Sequence, residues 1–187
     1  MSTAIHWSGP LLVGGAVLLG LSIVAFSLKP VVNQPPSPGT ATLLMLSAGV
    51  LLVSLPGMYA AQADAAGMLG LAAHVLLETG ILLLVTVAAT PLVYPAMTQP
   101  PGESVVMFVL GIALTLGLLL TGVATLQAGV FPQAAGILLL TATAGFFFVF
   151  FVAEFLPALA GQVGSAFFGI VLALGFALIG ISLWSRG

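Results

Sequence analysis

Charged side chains are nearly absent from this chain. Its 187 residues include two Lys or Arg and four Asp or Glu, so 3% are charged, whereas a soluble domain carries roughly a quarter. So few charges cannot cover a water-facing surface. Because 61% of the residues are hydrophobic and the mean hydropathy is +1.33, the composition predicts an integral membrane protein with the lipid bilayer as its first partner.

Basic clusters are missing as well. The net charge is -2, and no run of Lys or Arg is present to neutralise phosphate groups. This composition excludes nucleic acid as a partner and a polybasic hold on anionic lipids.

Cysteine is absent, which excludes disulfides and thiolate metal sites. A metal site needs three or four ligands, and His74, Glu78 and the distant His6 do not supply a convincing set. We therefore predict no metal site and no resident cofactor, while a lipophilic cofactor, or a haem shared between protomers, stays open. Because no nucleophile elbow, P-loop, HExxH or dinucleotide fingerprint occurs, we predict no catalytic residues and no enzyme activity.

Long apolar runs take up most of the chain. Pro, Gly and polar interruptions divide it into about six lengths of the roughly 20 residues that a spanning helix needs. These predicted spans lie near 10–28, 42–61, 67–90, 105–126, 133–154 and 163–184. We predict an all-α transmembrane bundle that forms a single domain over residues 1–187. The short links between spans two and three, and between four and five, make those spans antiparallel neighbours.

An even number of spans places both termini on one face of the membrane, here named side B. The longer, proline-rich loops then lie on the opposite face, side A. Trp7, Tyr59 and Trp184 all fall at side B helix ends, where aromatic rings prefer the headgroup level. Orientation depends on which membrane face carries more Lys and Arg, and only Lys29 on side A and Arg186 on side B can be compared. We expect a bacterial inner-membrane protein with both termini in the cytoplasm.

Residues 48–80 can be superposed on residues 113–145 without a gap. The match pairs Gln62 with Gln127 and Gly80 with Gly145, and it raises the possibility of a repeated helical hairpin. The stretch "SLPGMYAAQADAAGMLGLAAHVLLETG" in the first copy resembles a turn found in small multi-span bacterial membrane proteins, Leu-Pro-Gly-x-Tyr-Ala-x-Gln followed by a Gly-rich helix. This resemblance implies a multi-span fold and brings no activity with it.

Two sequence patterns suggest packing surfaces. Small residues recur every four positions in the last span, which favours close packing against a neighbouring helix within the chain, with self-association as the alternative. The members of this helix-packing face are Ser165, Gly169, Ala173 and Ala177. The run "GFFFVFFVAEF" must cover more than one face of its helix, so lipid contact is expected, and a hydrophobic docking surface for a partner subunit, quinone or pigment is the alternative. The members of this surface are Phe146, Phe147, Phe148, Phe150 and Phe151.

One polar pair lies deep in the third span. His74 and Glu78 are four residues apart, so they share a helix face and can form a hydrogen bond. An ionised carboxylate at that depth is costly, so Glu78 is expected to be protonated, paired with His74 or open to a water-filled cavity, and in each case to point into the bundle. The pair is either a site for a proton, cation or polar ligand, or a structural hydrogen bond completed by a threonine. The candidate threonines are Thr79, Thr121, Thr125, Thr141 and Thr143.

Two functions from different classes follow. The first is a non-catalytic membrane subunit or binding module that packs against other membrane proteins or holds a lipophilic molecule. The second is a small proton- or cation-coupled transporter or channel that uses His74 and Glu78. The substitution Glu78→Gln separates them, because only a transporter would lose pH-dependent flux.

Overall fold

The computed structural model describes residues 3–27, 37–93, 103–152 and 158–186. These residues contain helices and no strands, which confirms the all-α prediction. The elements in chain order are α1 (Thr3–Ser27), α2 (Pro38–Val93), α3 (Glu103–Ala128), α4 (Gln133–Phe147), a π-helical turn (Phe148–Val152) and α5 (Ala158–Ser185).

Among the described residues, four helices are long and apolar enough to cross a membrane. They cover His6–Ser27, Pro38–Val93, Val105–Ala128 and Gly161–Ser185. The predicted count of six spans is not confirmed by this measure, because spans two and three both fall in α2. The predicted fifth span is also divided: α4 ends at Phe147, the π-helical turn continues to Val152, and residues 153–154 lie outside the described part of the chain, as does residue 28.

The helix α2 folds back on itself at Gly67. This glycine has φ +54° and ψ -141°, a combination that residues with a Cβ atom rarely adopt. The rings of Tyr59 and His74 stack with their centroids 4.8 Å apart, although fifteen residues of straight helix would separate them by about 22 Å. We name the two limbs α2a (38–66) and α2b (68–93). The predicted short link between spans two and three, at residues 60–67, is therefore helical except at Gly67.

The helical segments form a closed ring, in which each contacts the next along the chain and α5 returns to α1. Glycine lies at several of these crossings, where it lets neighbouring helices approach closely. Examples are Gly15 against Leu51, Gly117 against Leu77, Gly136 against Leu126 and Gly175 against Leu139. The ring surrounds one hydrophobic core, to which all the helices contribute.

The contact between α1 and α5 closes the ring. Gly9 lies against Gly180, and Gly20 lies against Gly169. The residue number rises along one helix as it falls along the other, so the two helices are antiparallel. The two contacts are eleven residues apart on each helix, so the pairing of residues does not shift over about three turns. Trp7 and Trp184 therefore lie at the same end of the bundle.

The two copies of the proposed repeat differ in the burial of their matched glutamines. Gln62 is buried, whereas its counterpart Gln127 is exposed. The first hairpin turns at Gly67, and the second turns over residues 129–132 after Gly129, which has φ +62°. Both segments are helical hairpins, and their turns coincide in the alignment, because residues 129–132 pair with residues 64–67. The matched glutamines nevertheless have different environments.

Candidate functional site

A partly open cavity of about 360 Å³ lies between the helices, in the half of the bundle farther from Trp7 and Trp184. Every helical segment contributes to its wall, including both limbs of α2 and the π-helical turn. Leu, Ile, Val, Met and Phe side chains form almost the whole lining. Pockets that bind small molecules have volumes of roughly 300–1,000 Å³ and are mostly apolar. By volume and lining, the cavity is a candidate ligand site.

Aromatic rings form one wall of the cavity. Phe146 and Phe150 stack with their centroids 5.2 Å apart, and Phe146 also contacts Phe168 of α5 at 5.2 Å. Gly111 of α3 makes room for the Phe150 ring, since a Cβ atom there would lie 2.5 Å from Cε1. The wall includes the π-helical turn, a deviation that occurs frequently at functional sites.

The predicted phenylalanine surface is divided between the inside and the outside of the bundle. Phe146 and Phe150 line the cavity, whereas Phe147 is 51% exposed and contacts Phe151 with centroids 5.0 Å apart. Phe148 is half-buried. The run therefore crosses the wall of the bundle, because Phe150 also contacts Phe151, with their ring centroids 5.3 Å apart.

The few polar side chains at the cavity lie toward the end of the bundle opposite Trp7 and Trp184. Ser22 Oγ donates a hydrogen bond to Leu18 O at 2.7 Å, and Ser165 Oγ donates to Gly161 O at 2.8 Å. The Thr40 hydroxyl lies 2.9 Å from the Ser37 hydroxyl. No charged side chain is found among the described residues that line the cavity.

The predicted helix-packing face of α5 lies partly against α1. Gly169 and Ala173 both meet Gly20, where an added Cβ atom would lie 2.7 Å from the Ala173 Cβ. Ser165 belongs to the cavity wall, and Ala177 is half-buried. Two of the four residues thus occupy a helix crossing inside the chain.

The polar pair is formed, but it lies away from the cavity. His74 Nε2 is 3.4 Å from Glu78 Oε1, and the two side chains are 12% and 31% exposed. The Tyr59 ring lies nearly parallel to the His74 ring, with 10° between their planes, so the pair is at the contact between α2a and α2b. Glu78 is half-buried, and the residues through which α2b lines the cavity include Leu77 and Ile81 but neither member of the pair.

The candidate threonines do not complete the pair. Four of them donate to the backbone carbonyl four residues earlier, namely Thr79, Thr121, Thr141 and Thr143. The Thr125 hydroxyl is buried without a hydrogen-bond partner, and so is His74 Nδ1. The geometry of the pair therefore rests on Tyr59 and the helix itself.

The three predicted interfacial aromatics share one end of the bundle. Trp7 is 63% and Trp184 is 56% exposed. Tyr59 precedes the turn at Gly67 by eight residues. Unlike the two tryptophans, it is half-buried, and its ring stacks on His74. At the same end, Arg186 donates a hydrogen bond to Val130 O and lies over the Phe131 ring, which ties α5 to the link between α3 and α4.

Sequence reasoning missed the cavity. Its residues come from six helical segments, and no local pattern distinguishes an inward Leu or Phe from one that faces lipid. Among the described residues, no group of three or more His, Asp or Glu could hold a metal ion. Comparisons with known proteins supply no analogy, because no family model, curated protein or solved structure matches this chain.

Proposed function

We propose that this protein is a non-catalytic integral membrane binding module that holds a lipophilic molecule in its central cavity. The observation that carries the proposal is the cavity itself, which is built by all the helical segments and lined almost entirely by carbon. Binding sites for lipophilic molecules have this composition.

The apolar lining supports the same proposal. Water does not fill apolar cavities. A hydrocarbon molecule would restore the missing dispersion contacts and would be available from the surrounding bilayer.

The membrane topology belongs to this proposal. We infer that α1, α2a, α2b, α3, α4 with the π-helical turn, and α5 each cross the bilayer. The fold-back at Gly67 supports two crossings in α2. Both termini would then lie on side B, which we assign to the cytoplasm of a bacterial inner membrane, and the cavity would lie in the opposite leaflet.

Proton- or cation-coupled transport remains the alternative hypothesis. His74 and Glu78 do form a pair, but neither lines the cavity. The accessory-subunit hypothesis is compatible with a bound lipophile, because the outward phenylalanine cluster is free to meet either lipid or another chain.

The test is a pair of matched substitutions on α5. Leu172 is buried and lines the cavity, whereas Leu174 faces outward and is 52% exposed. The protein and its variants would be extracted with native lipid in polymer discs, transferred to a mild detergent and weighed intact. We expect the wild type and Leu174→Phe to retain a stoichiometric lipophilic adduct that Leu172→Phe loses. If all three chains carry the same adducts, or none, the cavity is not a binding site.

A further inference from the structure

We infer that Glu78 is a proton-binding carboxyl that meets the lipid beside the contact between α2a and α2b, where a lipophilic carbodiimide can modify it. This inference rests on the membrane topology proposed above, in which α2b crosses the bilayer, and not on the ligand of the cavity. Three features of the pair carry it: the depth of the carboxyl, the face of the helix on which it lies and the surroundings of the His74 ring.

The carboxyl lies near the middle of α2b. Glu78 is eleven residues after the turn at Gly67 and fifteen residues before Val93, where the helix ends. These intervals correspond to about 16 Å and 22 Å along the helix axis, and the hydrocarbon core of a membrane is about 30 Å thick. A crossing by α2b therefore puts this carboxyl about halfway through the hydrocarbon, too deep to reach either interface.

Glu78 lies at the edge of a face of α2b that points away from the core. Val75 and Leu82 are 52% and 54% exposed, and Thr79 is exposed as well. Positions 75, 78, 79 and 82 have the spacing that places residues on one side of a helix. The Glu78 side chain is itself 31% exposed. Because the bilayer surrounds the bundle in this topology, the accessible surface of the carboxyl meets hydrocarbon chains.

The surroundings of the His74 ring favour its neutral form. Nε2 is the ring nitrogen that lies 3.4 Å from Glu78 Oε1, whereas Nδ1 is buried without a hydrogen-bond partner. An imidazolium ion carries protons on both nitrogens, so its Nδ1 proton would be a buried donor without an acceptor, which is unfavourable. The geometry therefore favours a neutral ring with its proton on Nε2, which gives the carboxyl a hydrogen-bond donor but no full positive charge.

No second cation compensates Glu78 among the described residues around it. His74 is its ion-pair partner there. Tyr59 is the titratable neighbour from α2a, and α3, which packs against the other side of α2b, has no titratable side chain from Val105 to Ala128. All three segments are described at this depth. An ionised carboxylate in hydrocarbon is strongly unfavourable, and binding a proton removes its charge.

A lipophilic carbodiimide reacts with a carboxyl in this state. The acid proton moves to one carbodiimide nitrogen while the carboxyl oxygen bonds to the central carbon, which converts one C=N double bond to a single bond. The acyl group then migrates to the second nitrogen, so its bond to that oxygen breaks and the central carbon becomes a urea carbonyl. No group leaves and nothing is oxidised or reduced, so the chain gains the whole mass of the reagent.

The test treats the full-length protein in phospholipid vesicles at neutral pH with dicyclohexylcarbodiimide, and mass spectrometry of peptides locates the label. A cationic, water-soluble carbodiimide with glycine amide is used in parallel. We expect the lipophilic reagent to label Glu78 and the water-soluble reagent to label Asp64, which is exposed near the turn at Gly67. Labelling of Glu78 should fall as the pH is raised, because the protonated acid is the reactive form. Labelling of Glu78 by the water-soluble reagent would overturn the inference.

A variant of the partner separates a neutral carboxyl from an ion pair. His74→Phe keeps an aromatic ring against Tyr59 and removes Nε2. We expect the rate at which the lipophilic reagent labels Glu78 to be unchanged or raised by less than about 10-fold, because the carboxyl loses at most one hydrogen bond. An unlabelled wild type together with a labelled variant would show an ion pair and refute the inference. Absence of label from both would refute it too, because the carboxyl would then be closed to the lipid.

Two controls separate this inference from the earlier proposals. The chain has no cysteine, so Val75→Cys and Leu82→Cys each give a single thiol, which should react with a membrane-impermeant maleimide only after denaturation in SDS. Reaction in vesicles would refute the crossing of α2b and this inference with it. Leu172→Phe changes the cavity, which neither member of the pair lines, and should leave the labelling of Glu78 unchanged. A labelled Glu78 without a lipophilic adduct would uphold this inference while the cavity proposal fails, and an adduct with an unlabelled Glu78 would do the reverse.

Discussion

The crossing of α1 and α5 allows a sharp test of the packing that closes the ring. Adding a methyl group at Gly20 places a Cβ atom 2.7 Å from the Ala173 Cβ and 3.0 Å from the Gly169 carbonyl oxygen. Neither neighbour is the end of a flexible side chain, so the helices must separate locally by about 0.7 Å to restore ordinary contact near 3.4 Å. Gly14 lies on the same helix with nothing within 4 Å of its added Cβ atom, which makes Gly14→Ala the matched control.

The two substitutions are expected to change the free energy of unfolding in opposite directions. A radial gap of 0.5–1 Å loses about a quarter to a half of each dispersion contact, and overpacking usually costs about 1–3 kcal/mol. Replacing Gly by Ala inside a helix also stabilises the helix by up to about 1 kcal/mol, because Ala has the higher helix propensity. We therefore expect Gly20→Ala to lower the free energy of unfolding by about 1–2 kcal/mol, and Gly14→Ala to leave it unchanged or raise it by up to about 1 kcal/mol.

The assay is reversible unfolding in mixed micelles with a rising fraction of SDS, followed by circular dichroism. Helices in lipid gain no hydrophobic stabilisation by association, so close packing at small residues should dominate the difference between the variants. If Gly20→Ala and Gly14→Ala shift the midpoint in the same direction by the same amount, the α1–α5 crossing is not close-packed as described.

Three further predictions concern the other features. Phe146→Ala should destabilise the protein by about 3–5 kcal/mol, because the ring is buried, and Phe147→Ala by much less; thermal unfolding of the two variants makes the comparison. Gly67→Ala should cost about 1–3 kcal/mol, because it forces a Cβ atom into the backbone conformation of the α2 turn, and restoration of stability by Asn in place of Ala would indicate a less demanding turn. Glu78→Gln should cost less than about 2 kcal/mol and leave ligand binding intact, whereas loss of pH-dependent flux in proteoliposomes would favour the transport hypothesis.

Part of the site could be predicted from the sequence because it depends on local spacing. His74 and Glu78 are neighbours on any helix, so their contact could be predicted. The stacking of Tyr59 on His74 could not be predicted in this way. That stack requires the chain to reverse at Gly67, one residue within a stretch of good helix formers. The inward position of Phe146 and the outward position of Phe147 likewise depend on how α4 is rotated against α3 and α5, which composition does not specify.

The sequence by itself determined that the chain is helical and suited to a membrane. Almost no charge and apolar runs of about 20 residues favour spanning helices, because a helix satisfies its own backbone hydrogen bonds in lipid. Only the tertiary structure decided that the helical segments close into a ring, that the ring leaves a cavity toward the end opposite Trp7 and Trp184, and that the polar pair lies outside this cavity. The reason is that every long run here is apolar on all sides, so the direction a side chain faces is set by packing between helices and not by hydrophobic periodicity.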